Sequence, residues 1–158
     1  LQLNPETLEE VFESIMRIGR RFDREESAYE IVDEMREEIG KVDLDGRRIY
    51  CEEWSEPPMV SGNWIPGLIE KVNGDYFIEE ERSRKFDLKE LKEFDPKYIF
   101  LNICGAGKTF NREEILERPE WQNITAVRNE DVYVVDDALL NRPGPRIVEG
   151  LKEIERNI

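Results

Sequence analysis

Residues 104–109, Cys-Gly-Ala-Gly-Lys-Thr, form the stretch most suggestive of chemistry. A glycine-rich loop that ends in Gly-Lys-Thr cradles nucleotide phosphates when another glycine stands five residues earlier, between a strand and a helix. That position is Asn102, and Asn111 begins a separate helix. The pattern therefore favours a glycine-rich loop at a cleft edge. A nucleotide-hydrolysing enzyme using Gly105 to Thr109 is the less favoured alternative.

Two tryptophans frame a second candidate site in residues 53–64, which also contain two prolines and a glycine. Exposed aromatic side chains on a proline-framed loop can stack on a flat ligand. Trp54, Asn63 and Trp64 are therefore candidate ligand-binding residues. The alternative is that both indoles belong to the core and seal an edge of a sheet.

A third candidate site follows residues 132–135, where Asp137 and Arg142 precede the last predicted helix. The N-terminus of a helix carries partial positive charge, and an arginine adds a full charge with several donors. This combination suits amide or carboxylate groups of a ligand. The alternative is that Asp137 and Arg142 pair with each other to close a turn.

Several function classes are excluded or disfavoured by composition. The chain has no histidine, which excludes a Ser-His-Asp triad and a histidine-ligated zinc site. Cys51 and Cys104 have no CxxC companion and are expected to be buried free thiols, with a disulfide between them as the less favoured alternative. We predict no catalytic residue, no metal site and no cofactor.

The charge balance bears on partners. There are 37 acidic and 23 basic residues, a net charge of -14. This charge repels phosphate backbones, so nucleic acid is not an expected partner. No apolar run approaches the roughly 20 residues that cross a bilayer, so we expect no membrane insertion. The abundance of Glu, Lys and Arg is typical of thermophile proteins.

Helices and strands alternate along the predicted chain. This alternation predicts an α/β fold of three layers, with helices on both faces of a mostly parallel sheet. In such sheets ligands bind beyond the carboxyl ends of the strands, where all three candidate sites lie. The predicted helices cover residues 5–18, 23–40, 65–72, 87–94, 111–116 and 145–154, and the predicted strands cover residues 47–52, 98–103 and 132–135.

Five motifs together resemble the cobalamin and iron-siderophore substrate-binding proteins of ABC importers. The resemblance implies two α/β lobes joined by a long rigid helix. Residues 1–42 would be a helical segment that includes this linker, and residues 43–158 would be the C-terminal lobe. The motifs are E-x-W-x-x-P-P-x-x-x-G-N-W at 52–64, D-P-K-Y-I-F-L at 95–101, R-P-E-W-Q-N-I-T-A-V-R-N at 118–129, V-Y-V-V-D at 132–136 and R-P-G-P-R at 142–146.

The resemblance also implies roles for particular residues. Trp64 would lie against a corrin ring, Arg142 and Asp137 would lie near ligand amides, and Glu70 would dock onto an ABC transporter permease. The expected function is non-enzymatic capture of cobalamin or an iron chelate outside the cytoplasm, at the periplasm or cell surface.

The family's N-terminal lobe, docking acid and secretion signal or lipid anchor lie outside this sequence. Half of a cleft is expected to bind cobalamin weakly, because much of the buried ligand area is missing. The alternative is an interaction protein of the same fold, such as a homodimer in which two lobes cover each other's apolar clefts.

Overall fold

A six-stranded mixed sheet lies at the centre of the computed structural model, which describes residues 1–79 and 82–158. Its order is β4-β2-β1-β5-β6, and β3 pairs with the start of β1. Strands β1, β3, β5 and β6 pair in parallel, whereas β2 is antiparallel to both β1 and β4. The strands are β1 Arg48–Ser55, β2 Pro58–Val60, β3 Asp75–Tyr76, β4 Arg84–Lys85, β5 Tyr98–Leu101 and β6 Val132–Val134.

Helices surround this sheet. They are α1 Leu8–Arg21, α2 Glu25–Ile39, α3 Trp64–Glu70, α4 Leu88–Phe94, α5 Glu113–Leu116, α6 Thr125–Arg128, α7 Asp137–Leu140 and α8 Ile147–Glu155, with a 3-10 turn at Pro119–Trp121. Among the described residues, none of the helices has the length and apolar character needed to cross a membrane.

Both faces of the sheet are covered. Ile49, Tyr50, Cys51 and Glu52 follow one another along β1, and all four are 0% exposed. Because successive strand residues point to opposite faces, burial of all four requires packing on each side. The predicted three-layer α/β fold is confirmed.

The prediction of a loop directly after residue 52 is wrong. Strand β1 continues to Ser55 and forms a hairpin with β2, pairing Trp54 with Met59. The register shifts between Glu52 and Trp54, so Glu53 lies at a bulge. Pro58 is compatible with a strand here because β2 is only three residues long and begins at the proline.

The first two helices form an antiparallel hairpin. Thr7 caps α1 by accepting from the Glu10 amide at 3.2 Å, two residues after the predicted start of this helix at residue 5. Asp23 does not cap α2, because it has a φ of 53° in the connecting turn and the helix begins two residues later. Their buried side chains join the same core as the sheet.

Candidate functional site

A groove of about 530 Å³ lies near the carboxyl end of β1, and we call it the rim groove. Asn63 and Trp64 line it, whereas Trp54, Asp137 and Arg142 do not. Its lining residues are Leu3, Asn4, Pro5, Glu6, Glu53, Met59, Asn63, Trp64, Arg82, Ser83 and Pro143. The groove is thus formed by the segment before α1, the β1–β2 hairpin, the start of α3, residues 82 and 83 and the segment after α7.

The two candidate tryptophans differ in exposure. Trp64 is 7% exposed, and its indole N–H donates to the Leu140 carbonyl at 2.8 Å. This bond ties the start of α3 to the end of α7, so only part of the Trp64 ring faces the groove. Trp54 is 48% exposed, with its N–H bonded to the Glu56 carbonyl at 2.9 Å. The expectation of an exposed indole is correct for Trp54 and wrong for Trp64.

The bulge in β1 turns Glu53 into the groove wall. Its carbonyl accepts from the Cys104 amide at 2.9 Å, which links the end of β1 to the segment after β5. Burial raises the pKa of the Glu53 carboxyl, and a hydrogen bond with Ser83 partly offsets this effect. Glu53 was not a predicted site residue, because its neighbours in sequence give no sign of a bulge.

Arg82 and Glu6 form an ion pair at the groove. The hydrogen bond from Arg82 lowers the pKa of the Glu6 carboxyl. The Arg82 side chain is 70% exposed, so its remaining donors stay accessible to a ligand. Neither residue was predicted, because they are far apart in sequence and only the fold brings them together.

Asp137 organises the glycine-rich loop. Its carboxylate accepts from the Gly105 amide at 3.0 Å and from the Gly107 amide at 2.9 Å. Both glycines have positive φ, 78° and 55°, which side chains rarely adopt. Lys108 pairs with Glu153 of α8 at 2.8 Å. The amides and the lysine that a phosphate would need are thus already engaged, and the geometry does not support the nucleotide alternative.

Arg142 does not pair with Asp137. The Arg142 side chain is exposed and makes no hydrogen bond or ion pair within the described part of the chain. It follows Asn141 and precedes Pro143, which lines the rim groove. The guanidinium is therefore available to a ligand that extends beyond the groove.

A buried polar network joins three segments near the rim groove through Ser61, Asn102 and Asn141. Asn102 is 0% exposed, and its amide N–H groups donate to the Ser61 hydroxyl at 2.8 Å and to the Asn141 side chain at 2.5 Å. Asn141 in turn donates to the Asn102 carbonyl at 2.7 Å. Because buried polar groups are costly unless satisfied, this network fixes the segments after β2, β5 and α7 relative to one another.

An ion pair beneath the rim anchors the end of β1. Arg118 donates to both Glu52 carboxylate oxygens at 2.9 and 2.8 Å, and to the Ser55 carbonyl at 2.9 Å. The Tyr50 hydroxyl donates to the same carboxylate at 2.8 Å. The guanidinium also lies 4.4 Å from the centre of the Trp121 ring. Burial raises the pKa of Glu52, and Arg118 opposes that rise.

Glu70 lies at the end of α3, away from the residues of the rim groove. It is exposed, and its side chain makes no hydrogen bond or ion pair within residues 1–79 and 82–158. The two cysteines are free, Cys51 buried and Cys104 exposed. The expectation of a buried thiol is therefore wrong for Cys104. Across the described ranges, no cluster of His, Cys, Asp or Glu could hold a metal ion.

Residues 1–139 match the family model of the periplasmic binding proteins. This chain belongs to the periplasmic binding protein family. The match covers more than half of the chain and confirms the family predicted from the motifs. The first two helices and every lining residue of the rim groove except Pro143 lie within the matched residues.

Related proteins are longer than this periplasmic binding protein chain. An ABC transporter substrate-binding lipoprotein of Bacillus subtilis strain 168, YvrC, is 23% identical over 97% of this chain and 51% of its own length. The chain thus spans about half the length of the curated relative that it matches.

Solved structures share the fold. A possible iron-binding periplasmic protein of Staphylococcus epidermidis has a TM-score of 0.82 at 24% identity, covering 99% of this chain and 65% of its own. A periplasmic vitamin B12-binding protein of Vibrio cholerae has a TM-score of 0.68 at 14% identity, covering 99% of this chain and 63% of its own.

Proposed function

We propose that this chain is the C-terminal lobe of the substrate-binding component of an ABC importer for cobalamin or a related corrinoid or iron chelate. The rim groove carries this proposal. It lies at the carboxyl edge of β1, where this class of sheet binds ligands, and it belongs to a chain of the periplasmic binding protein family. The names of the relatives, which include iron and vitamin B12 binding, agree with a metal chelate as ligand.

The chemistry of the groove suits a large ring with polar substituents. Met59, Pro143 and the accessible part of Trp64 offer apolar contacts to the flat face of a macrocycle. Asn63 and Arg82 offer donors to peripheral amides or carboxylates. Arg142 and the exposed Trp54 would contact the outer parts of the same ligand.

The importer assignment implies a second functional surface and a location. Glu70 would dock onto a cationic site of the permease, since it is an exposed carboxylate with no side-chain partner among the described residues. The protein would act outside the cytoplasm, as the lipoprotein relative's name suggests for that protein.

The rim groove forms only one wall of a cleft. A drug-sized ligand buries most of its surface in a complete site, and one wall supplies about half of that area. We therefore expect cyanocobalamin to bind the 158-residue chain with a dissociation constant weaker than about 100 µM. A sub-micromolar constant measured by calorimetry would contradict the one-wall description.

Amide chemical shifts measured during a cyanocobalamin titration would test the site directly. We expect concentration-dependent shifts at Glu53, Met59, Asn63 and Arg82, and weaker binding in Arg82→Ala. Glu70→Ala is the control and should bind as well as the natural chain. Hemin and a ferric hydroxamate, titrated separately, would rank the chelate classes. Shifts absent from the groove with all three ligands would refute the proposed function.

A further inference from the structure

Glu53 is a half-buried carboxyl group in the wall of the rim groove. It lies at the bulge of β1 and forms no ion pair within residues 1–79 and 82–158. Its neighbour Glu52 shows the contrast, since Arg118 donates to both of its carboxylate oxygens. A carboxylate that is removed from water is costly unless a positive charge or several donors compensate it. The fold supplies such a charge to Glu52 and supplies none to Glu53.

The Ser83 hydroxyl orients the Glu53 carboxyl. Its oxygen accepts from the Gly62 amide at 2.9 Å and from the Asn63 side chain at 3.5 Å. Because both of these contacts use the hydroxyl oxygen as acceptor, its single proton is free to be donated to Glu53. A carboxylate has about four acceptor positions, so one neutral donor leaves most of them for a ligand.

The charged groups of the groove leave Glu53 without compensation. Arg82 is the one guanidinium among the described lining residues, and it forms its ion pair with Glu6. The thiol of Cys104 also lies near Glu53, and burial followed by the charge of Glu53 raises the pKa of this thiol. Cys104 is therefore a neutral neighbour at pH 7. The excess negative charge of the groove belongs to Glu53.

We propose that Glu53 is a specificity-determining residue that binds a positively charged group of the ligand, namely an ammonium group on the periphery of a metal chelate. This inference rests on the proposed function of the rim groove. An ammonium group has three donors for the free acceptor positions of the carboxylate, and its charge is the compensation that the fold lacks. A chelate that places a carboxylate at this position is disfavoured, because like charges would meet in a partly desolvated site.

Two chelates that differ in a single ammonium group test the proposal. Desferrioxamine B carries a terminal ammonium group, and N-acetylation removes that charge while the metal-binding hydroxamates stay unchanged. Gallium(III) takes the place of iron(III) in both, because it is diamagnetic and leaves NMR signals sharp. We expect the natural chain to bind the ammonium-bearing chelate at least about fivefold more tightly than the acetylated one, with amide shifts at Glu53 and Ser83.

Glu53→Gln should remove this preference, because the amide has nearly the same shape but no charge. The two gallium chelates should then bind with the same dissociation constant. Glu56→Gln is the matched control, since Glu56 is an exposed carboxylate of the same hairpin and does not line the groove. It should keep the preference of the natural chain. Two-dimensional NMR spectra of both variants verify that they are folded.

The possible outcomes separate this inference from the proposed function. Equal affinities of the natural chain for the two chelates, both bound at the rim groove, would overturn the role of Glu53 and leave the groove as a chelate site. A preference that survives Glu53→Gln would assign the ammonium group to another residue and would also overturn the inference. If neither gallium chelate shifted the groove amides, the inference would fail, whereas the proposed function would fail only if cyanocobalamin and hemin also left them unshifted.

Discussion

The buried pair between Glu52 and Arg118 is the strongest residue-level constraint on the rim. Glu52 is 0% exposed and the Arg118 side chain 18%, so neither charge is well hydrated. A buried pair adds modest net stability, because desolvation of the two charges offsets their attraction. Removal of one partner is far more costly, since it leaves a buried charge without compensation.

Arg118→Met should therefore destabilise the fold by about 3 kcal/mol. The methionine fills similar space but leaves Glu52, among residues 1–79 and 82–158, with only the Tyr50 hydroxyl as a side-chain partner. The double variant Arg118→Met/Glu52→Leu should regain much of this loss. Urea denaturation of both variants measures the difference. A loss below about 1 kcal/mol in the single variant would show that Glu52 is rehydrated or protonated at little cost.

The stability of Arg118→Met should depend on pH, because the pKa of Glu52 is raised in the folded state. Burial raises the pKa of Glu52, so the folded state holds the proton more tightly than the unfolded state. Stability from this group is present below the unfolded pKa and is lost as pH rises through the folded pKa. Without Arg118 the pKa rises further, and Arg118→Met should lose more stability at pH 7 than at pH 5.

At the scale of elements, Asp137 holds the glycine-rich loop at residues 104–109 in place. Asp137→Ala removes the acceptor of the Gly105 and Gly107 amides. Hydrogen bonds to a charged group contribute about 1.5–3 kcal/mol, so exchange of these two amides should accelerate at least about tenfold. Hydrogen exchange followed by NMR measures this rate.

A neighbouring aspartate supplies the control for Asp137. Asp136 is the N-cap of α7, and its carboxylate accepts from the Ala138 amide at 2.9 Å. Asp136→Ala removes this cap. It should accelerate exchange within α7 and leave Gly105 and Gly107 protected. Equal acceleration of the glycine amides in both variants would mean that the loop is held by α7 as a whole rather than by Asp137.

Strongly patterned elements were predictable from the sequence, and short ones were not. Helices α1, α2 and α8 show long apolar stripes, and β1, β5 and β6 are buried runs in the sequence. Strands β3 and β4 have two residues each and exist only through pairing with β1 and β2. Such strands carry no local signal, because distant partners supply their hydrogen bonds.

The sequence predicted the position of the rim groove better than it predicted the residues that line it. Placement of ligands at the carboxyl edge located Asn63 and Trp64 in the groove. Glu53, Arg82 and Ser83 were missed, because a bulge and the hairpin beside β4 bring them there. From the sequence, Asn102 was considered only as the residue that stands where the phosphate-binding pattern requires a glycine. In the structure it is the centre of the buried polar network.

For the whole molecule, the net charge of -14 means that acidic side chains repel one another. At Glu38 of α2 this repulsion is offset by ion pairs with Lys152 of α8 and with Lys41. These contacts connect the helical hairpin to the last helix of the chain. The hydrogen bond from Lys152 is the main cause that lowers the pKa of Glu38 to about 2, with that from Lys41 next.

Acid should loosen this connection in a defined pH window. A depressed pKa gives stability that is fully present above about 4.5 and is lost as pH falls toward about 2. Thermal unfolding between pH 5 and pH 2 should therefore depend less steeply on pH in Glu38→Gln than in the natural chain. Glu34→Gln is the control, because Glu34 lies on the same helix without an ion pair in the described chain. If both variants reproduced the natural slope, general charge repulsion would govern acid unfolding, and the Glu38 contacts would be incidental to the docking of α2 on α8.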